Sequence, residues 1–278
     1  MAVQVPRYTE AEVAAALGGP VSLLGSGSFG DTWRRGDIAV KIISDGAYPP
    51  ERLRREVDGL SRVSSPHVVR LLGTRTVDLR GEQRPALSFE YIDGGDVARR
   101  TTADQLPSAA EGVAFLRGLL TGVWHMHDKQ TVHRDIKPGN IALRDGDWAR
   151  PVLLDLGLAR GASEATITVY PSLVGTYAYM APEQLAGQPA RNAADLFAIG
   201  VTAREVLGGR HPFYDAGTAY TPAERIARIT KGPYPLPADI PGPVAELLDR
   251  LTAERMADRG SARSSLRRLG SATEGAAA

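Results

Sequence analysis

No cysteine occurs among the 278 residues, so disulfides, thiolate metal sites and a cysteine nucleophile are excluded, and a reducing compartment fits the composition. Charge of one sign is not in excess either. Lys and Arg total 33 against 32 Asp and Glu, so no global field draws the chain to nucleic acid or to an anionic membrane, and any electropositive site must be local. No uninterrupted apolar run approaches the ~18 residues of a membrane span. Met1 to Glu10 lacks the charged and apolar regions of a signal peptide, and the opening Met-Ala offers no glycine for myristoylation. The expected setting is the cytoplasm, with no nucleic-acid partner and no membrane segment. The 43% hydrophobic and 23% charged content that remains is enough to bury one or two good cores.

What the chain does have is concentrated in His133, Arg134, Asp135, Ile136, Lys137, Pro138, Gly139, Asn140 and, further on, Asp155, Leu156, Gly157. Phosphoryl transfer needs a carboxylate to orient a hydroxyl, a cation against the moving group and oxygen ligands for Mg²⁺. Asp135, Lys137, Asn140 and Asp155 supply those groups in order. A polar turn between strands would account for Asp, Asn and Gly, but not for a Lys two residues after the Asp.

A second concentration lies upstream. Val21 to Leu24, the stretch Gly25, Ser26, Gly27, Ser28, Phe29, Gly30, and Thr32 to Arg34 read as strand, glycine loop, strand, with Arg35, Gly36, Asp37 turning into a third strand, Ile38 to Ile43. Dinucleotide-binding folds share the GxGxxG spacing but need a helix straight after it, and here a strand follows. Glycines at 25, 27 and 30 let backbone amides approach phosphate oxygens. Lys41 stands in the apolar third strand, where an ammonium is costly to bury unless paired. The helix predicted after Pro50 carries Leu53, Val57, Leu60 and Val63 at helical spacing. Glu56 falls beside that stripe, as a partner for Lys41 or as a solvated surface residue.

Between and beyond these motifs, the pattern predicts a short helix over Thr9 to Leu17 that precedes the main domain. It also predicts strands at Val68 to Leu72 and Pro85 to Tyr91, and a break at Asp93, Gly94, Gly95, Asp96. Ser108 and Glu111 have capping-box spacing ahead of a helix ending in His125 and His127. Two residues apart, those histidines face different sides, so His127 reads as a packed structural residue and not a metal ligand. A strand at Val152 to Leu154 delivers Asp155. The long loop that follows carries Ser163, Thr166, Thr168, Tyr170, Ser172 and Thr176 before Ala181, Pro182, Glu183. Helices are expected at Pro222 to Ile229 and Val244 to Met256, and a frayed tail after Leu269.

Taken in this order, the motifs from Val21 to Leu269 resemble the catalytic domain of the eukaryotic-like, bacterial type of Ser/Thr protein kinase. The resemblance implies an α+β, bilobal fold: a 1–20 extension, an antiparallel N-lobe of about 21–92 with one regulatory helix, an α-rich C-lobe of about 93–269 and a flexible 270–278 tail. It implies that Asp135 orients the acceptor, Lys137 steadies the transferring group, Glu56 holds Lys41 against the phosphates, and Asn140 and Asp155 hold Mg²⁺. Gly25, Gly27, Gly30, Ala39, Phe89, Ala142 and backbone groups of Glu90 and Ile92 would surround ATP. A one-residue shift would replace Ala142 by Ile141, and Asp96 would bond the ribose or cap a turn. Glu183 would pair with Arg259, Asp195 would anchor the loop at Asp135, and Arg134 would receive a phosphate from Thr168, Thr166, Ser163 or Ser172. Lys137 and Thr176 favour Ser or Thr as acceptor.

The sequence departs from the family at Leu156, where Phe is commoner, and at Thr32 and Ala142, which remove apolar contact with adenine. The implied activity is γ-phosphoryl transfer from MgATP to protein Ser/Thr hydroxyls, with a transient homodimer for autophosphorylation. A pseudokinase scaffold and a small-molecule phosphotransferase are the alternatives. The second is expected to lack the Ala181, Pro182, Glu183 segment and the Lys137 arrangement.

Overall fold

Two chain segments build each half of this protein: Met1–Ser64 with Val69–Tyr91, and Ser65–Val68 with Ile92–Ala278. The computed structural model describes residues 5–27, 29–44, 50–155 and 176–274; within these, the side chains of Arg52, Arg55, Glu56, Thr176 and residues 272–274 lie outside the description.

The first unit is a five-stranded antiparallel sheet in the order β1-β2-β3-β5-β4, from β1 (Ser22–Gly27), β2 (Gly30–Arg35), β3 (Ile38–Ile43), β4 (Leu71–Leu79) and β5 (Glu82–Glu90). Side chains alternate across a strand, so the register sorts them into two faces. Thr32 lies opposite Lys41, Lys41 opposite Leu87 and Ala39 opposite Phe89, which places these side chains together on one face. Trp33, Val40, Ile42 and Ala86 occupy the other, packed with Tyr8, Val13 and Leu17. Those last residues belong to or precede α1 (Glu10–Leu17), which is closed by a Thr9–Glu12 capping box and a left-handed Gly18. The described residues ahead of residue 20 thus pack onto the sheet's core through Tyr8, Val13 and Leu17. The apolar spacing that marks α1 as a helix does not say what it covers.

Two strands also differ from expectation. Gly25 and Gly27 belong to β1, so the glycine stretch is a tight hairpin with Gly27 opposite Gly30. The apolar cluster Val68 to Leu72 is not a strand: β4 begins at Leu71 and runs to Leu79, while Val68 bridges Leu153 in the second unit. As an edge strand, β4 leaves most of its side chains in solvent, which hides it from an apolar-run search. Helix α2 (Pro50–Ser61) completes the unit.

The second unit is helical around α4 (Ala109–Asp128), preceded by α3 (Val97–Thr102) and followed by a two-stranded ladder of β6 (Ile141–Leu143) and β7 (Pro151–Leu153). Beyond the undescribed loop come α5 (Pro182–Leu185), α6 (Asn192–Gly208), α7 (Pro222–Thr230), α8 (Gly242–Leu251) and α9 (Ala262–Glu274). Ser108 and Glu111 make the expected capping box on α4. Helix α8 stops at Leu251, short of the predicted Met256, and in the segment beyond it Ala253 O and Glu254 O accept from the Arg259 guanidinium at 2.8 Å each. In turn α9 continues through Glu274, past the point where fraying was expected, with Leu269 fully buried. Among the described residues no helix is long and apolar enough to cross a membrane.

Candidate active site

Asp195 sits in the first turn of α6, 1% exposed, and turns both carboxylate oxygens toward the segment that carries Asp135. The His133 N–H donates to Oδ2 and the Arg134 N–H to Oδ1, each at 2.8 Å, and His127 Nε2 reaches Oδ2 at 2.9 Å. A buried carboxylate needs such partners, and two successive amides aimed at one carboxylate fix the backbone that supplies them. The fixed backbone is strained: Arg134 takes a φ of 71°, a left-handed conformation that non-glycine residues adopt mainly where surroundings impose it. Asp195 as anchor and His127 as packed structural residue are thus both as the sequence predicts.

Held this way, Asp135 gathers its neighbours. Lys137 Nζ donates to Asp135 Oδ2 at 2.8 Å, and Asn140 Nδ2 donates to the Asp135 carbonyl and to Oδ2, also at 2.8 Å. Pro138 opens the 3-10 turn Pro138–Asn140 that swings Asn140 back to Asp135. Both contacts fall on Oδ2, so among the described residues Asp135 Oδ1 keeps its lone pairs for another donor. With its N–H groups on Asp135, Asn140 likewise keeps its amide oxygen as an acceptor.

The β6–β7 ladder then brings in Asp155. Leu154 N–H donates to Asn140 O at 2.8 Å, which seats the carboxylate-bearing residue beside Asn140. Asp155 is exposed and also left-handed, φ 53°. A carboxylate and an amide carbonyl are hard oxygen donors, the set suited to Mg²⁺ and unsuited to softer metals. His133 ties these pieces together, a role the sequence motif does not announce. Its Nδ1 accepts the Asp135 N–H at 3.3 Å, so Nε2 carries the proton and donates to Leu154 O at 2.9 Å. Burial pushes its pKa down and keeps the ring neutral, the form these two bonds require.

Beside Asp135, a small depression is lined by Arg134, Ile136, Tyr179, Met180 and Gln184. Tyr179 is fixed there by a 2.7 Å bond from its hydroxyl to Glu205, and burial raises the pKa of both groups. Glu183 and Arg259 form the predicted pair, bidentate at 2.7 and 2.9 Å and buried.

In the first unit, Lys41 is 9% exposed on the same face as Ala39 and Thr32. A Cβ at Gly30 would sit 1.9 Å from Ile42 O, so strand pairing itself demands glycine there. At Gly25 a Cβ would meet nothing within 4 Å, and folding gives no reason for glycine. Glu90 closes β5, its N–H on Arg70 O and its carboxylate accepting the Arg70 N–H. Ile92 is buried at the start of the second unit. Asp96 caps α3, accepting the Arg99 N–H at 2.8 Å. Ala142 and Ile141 are equally buried in β6. The Glu56 and Thr176 side chains, and Thr166, Thr168, Ser163, Ser172 and Leu156 entirely, lie outside the described residues.

Comparison with known proteins places this arrangement in context. The model of the protein kinase domain family matches residues 20–268. The serine/threonine-protein kinase PknD of Mycobacterium tuberculosis is 31% identical over 246 residues, 84% of this chain and 36% of PknD. The serine/threonine-protein kinase PknA of the same organism is 31% identical over 241 residues, 82% of this chain and 54% of PknA. This chain therefore spans about a third to a half of the length of these curated relatives. A crystal structure of Rad53 residues 1–466 in complex with AMP-PNP has a similar fold, with a TM-score of 0.70 at 24% identity over 89% of this chain and 63% of that one. The α+β bilobal architecture expected from the sequence is the one found.

Proposed function

The chain belongs to the protein kinase domain family, and from that premise we propose that it transfers the γ-phosphoryl group of MgATP to Ser or Thr hydroxyls of proteins. The observation that carries this reading is the Asp135, Lys137, Asn140 cluster held on Asp195. A carboxylate with one oxygen steadied by Lys137 and Asn140, and the other open, is arranged to accept the hydrogen bond of an acceptor hydroxyl. The hydroxyl is thereby oriented for in-line attack, and its proton goes to Asp135 Oδ1. Lys137 is near enough to the same carboxylate to neutralise charge on the group in transit. Asn140 and Asp155 would hold Mg²⁺, which supplies charge neutralisation to the phosphates.

Lys41, on the face shared with Ala39, fixes the α- and β-phosphates, and Glu56 orients it. Gly25, Gly27 and Gly30 cover the triphosphate with backbone amides. The family resemblance assigns Ala39, Ala142 and backbone groups of Glu90 and Ile92 to the base, and Asp96, which caps α3, to the ribose. Arg134 receives an activating phosphate on the loop carrying Thr166 and Thr168, placed there by a second copy of the chain in a transient dimer. Thr176 contributes to acceptor choice. The work is done in the cytoplasm.

Calorimetric titration with MgATP and with ATP in excess EDTA tests the nucleotide half of this reading. Asp155→Asn should weaken MgATP binding by roughly ten-fold or more, through loss of a metal ligand. Asp135→Asn should stay within a few-fold of wild type. Equal affinity in the presence and absence of Mg²⁺ for the wild-type chain would count against it.

A further inference from the structure

Asp31 immediately follows the last glycine of the hairpin, and it is completely buried. It lies in β2 on the same face as Trp33, opposite Ile42, in apolar surroundings where an unpaired carboxylate would be very costly. Its partner comes from the segment just ahead of α1. The Arg7 N–H donates to Asp31 Oδ2 at 2.8 Å and the Arg7 guanidinium lies 3.5 Å from Oδ1. The same guanidinium donates to Gly27 O at 2.9 Å. Gly27 and Gly30 face each other across the hairpin, so one arginine spans the end of β1 and the start of β2 where the glycine stretch turns.

The segment that carries Arg7 is itself fastened. Tyr8 is buried in the sheet's outer cluster. Glu12 closes the capping box and accepts from Arg80 Nε and NH2, at 2.8 and 3.1 Å, in the turn joining β4 to β5. Arg35, at the end of β2, donates to Gly18 O at 3.1 Å. Val13 and Leu17 complete the packing from α1. A glycine hairpin is intrinsically loose, since its residues lose the most conformational freedom on ordering. Here it is gripped from the sheet face opposite to the one bearing Lys41.

We propose that Arg7 and Asp31 are positioning residues for the nucleotide: through Gly27 O and the start of β2, the N-terminal segment sets the resting position of the glycine hairpin and so the affinity for MgATP. This rests on the reading of the hairpin as a flap over ATP. Arg7 makes no contact with the reacting groups in this account. Its effect is to reduce the ordering cost that nucleotide binding would otherwise bear.

Hydrogen–deuterium exchange of the nucleotide-free chain, read separately for Gly25–Asp31 and for Ala86–Phe89, combined with MgATP kinetics, tests the proposal. In Arg7→Ala, exchange at Gly25–Asp31 should rise about ten-fold with Ala86–Phe89 unaltered. KM for MgATP should rise about five-fold with kcat within two-fold of wild type. Asp31→Asn, which keeps an acceptor for the Arg7 N–H and loses the ion pair, should move both readouts the same way by less. Unchanged exchange, exchange rising equally in both segments, or an unchanged KM beside faster exchange would each overturn the proposal. If the wild-type chain transfers no phosphate, the kinase reading falls by itself, and the MgATP Kd takes the place of KM: a raised Kd in Arg7→Ala supports the clamp and an unaltered one ends it.

Discussion

A single carboxylate organises the candidate site. Asp195 accepts two backbone amides and His127, and the left-handed Arg134 between them persists because those bonds outweigh its strain. Asp195→Ala should leave two amide donors unsatisfied and release the turn, costing about 2–4 kcal/mol by urea denaturation. Transfer should fall far more than MgATP affinity. A second residue sets a pH dependence. His211 lies half-buried in the connection between α6 and α7, its Nδ1 accepting the N–H groups of Phe213 and Tyr214 at 3.2 Å while Nε2 donates to Ala178 O at 3.0 Å. Protonation would set a third N–H against those two donors, and burial lowers the pKa from 6.5 to about 4. Because the folded value lies below the unfolded one, this stabilisation is fully present above pH 6.5 and is lost as pH falls through about 4. The loss amounts to about 3 kcal/mol. Urea denaturation as a function of pH should show that slope in wild type, and His211→Gln should flatten it.

Elements differ in how well local pattern announces them. The capped helices were legible: a helix starting at Thr9 and the Ser108–Glu111 spacing mark α1 and α4, because a cap is a local exchange of hydrogen bonds, and the Thr9–Glu12 box appears only in the structure. Edge strand β4 was not legible, since its exposed side chains leave little apolar signal. The apolar spacing overran the end of α8, and in the segment beyond it Ala253 O and Glu254 O accept from Arg259, a contact that no local pattern records. That arginine also stacks 4.9 Å over Phe197 and closes the bidentate pair with Glu183, joining α5, α6 and the segment after α8. Removing one partner of a buried pair strands the other charge, so Arg259→Ala should destabilise the chain by about 3–5 kcal/mol. Thermal unfolding followed by circular dichroism would read this as a large fall in Tm, and Arg259→Lys should restore only part of it because a point charge cannot replace the two-pronged bond.

At the scale of the whole molecule, the family was readable from the motifs and the mechanical support of those motifs was not. Asp135, Lys137, Asn140 and Asp155 are recognisable because their order along the chain is specific to one kind of reaction, and the structure brings Asp135, Lys137 and Asn140 into direct contact, with Asp155 seated beside Asn140 by the ladder. His133 as the neutral tie to Leu154, and Arg7 and Asp31 at the glycine hairpin, join residues far apart in sequence through single hydrogen bonds, which no periodicity records. The central claim is that this chain is a phosphotransferase acting on Ser and Thr through Asp135. Its most direct measurement is incubation of the purified chain with MgATP and a generic protein substrate, with phosphosites mapped by mass spectrometry over time beside Asp135→Asn. The account predicts phosphoserine and phosphothreonine accumulating in the wild-type reaction and none above background with Asp135→Asn, although that variant still binds MgATP; a wild-type chain that binds MgATP without transferring phosphate, or equal transfer by the variant, would contradict it.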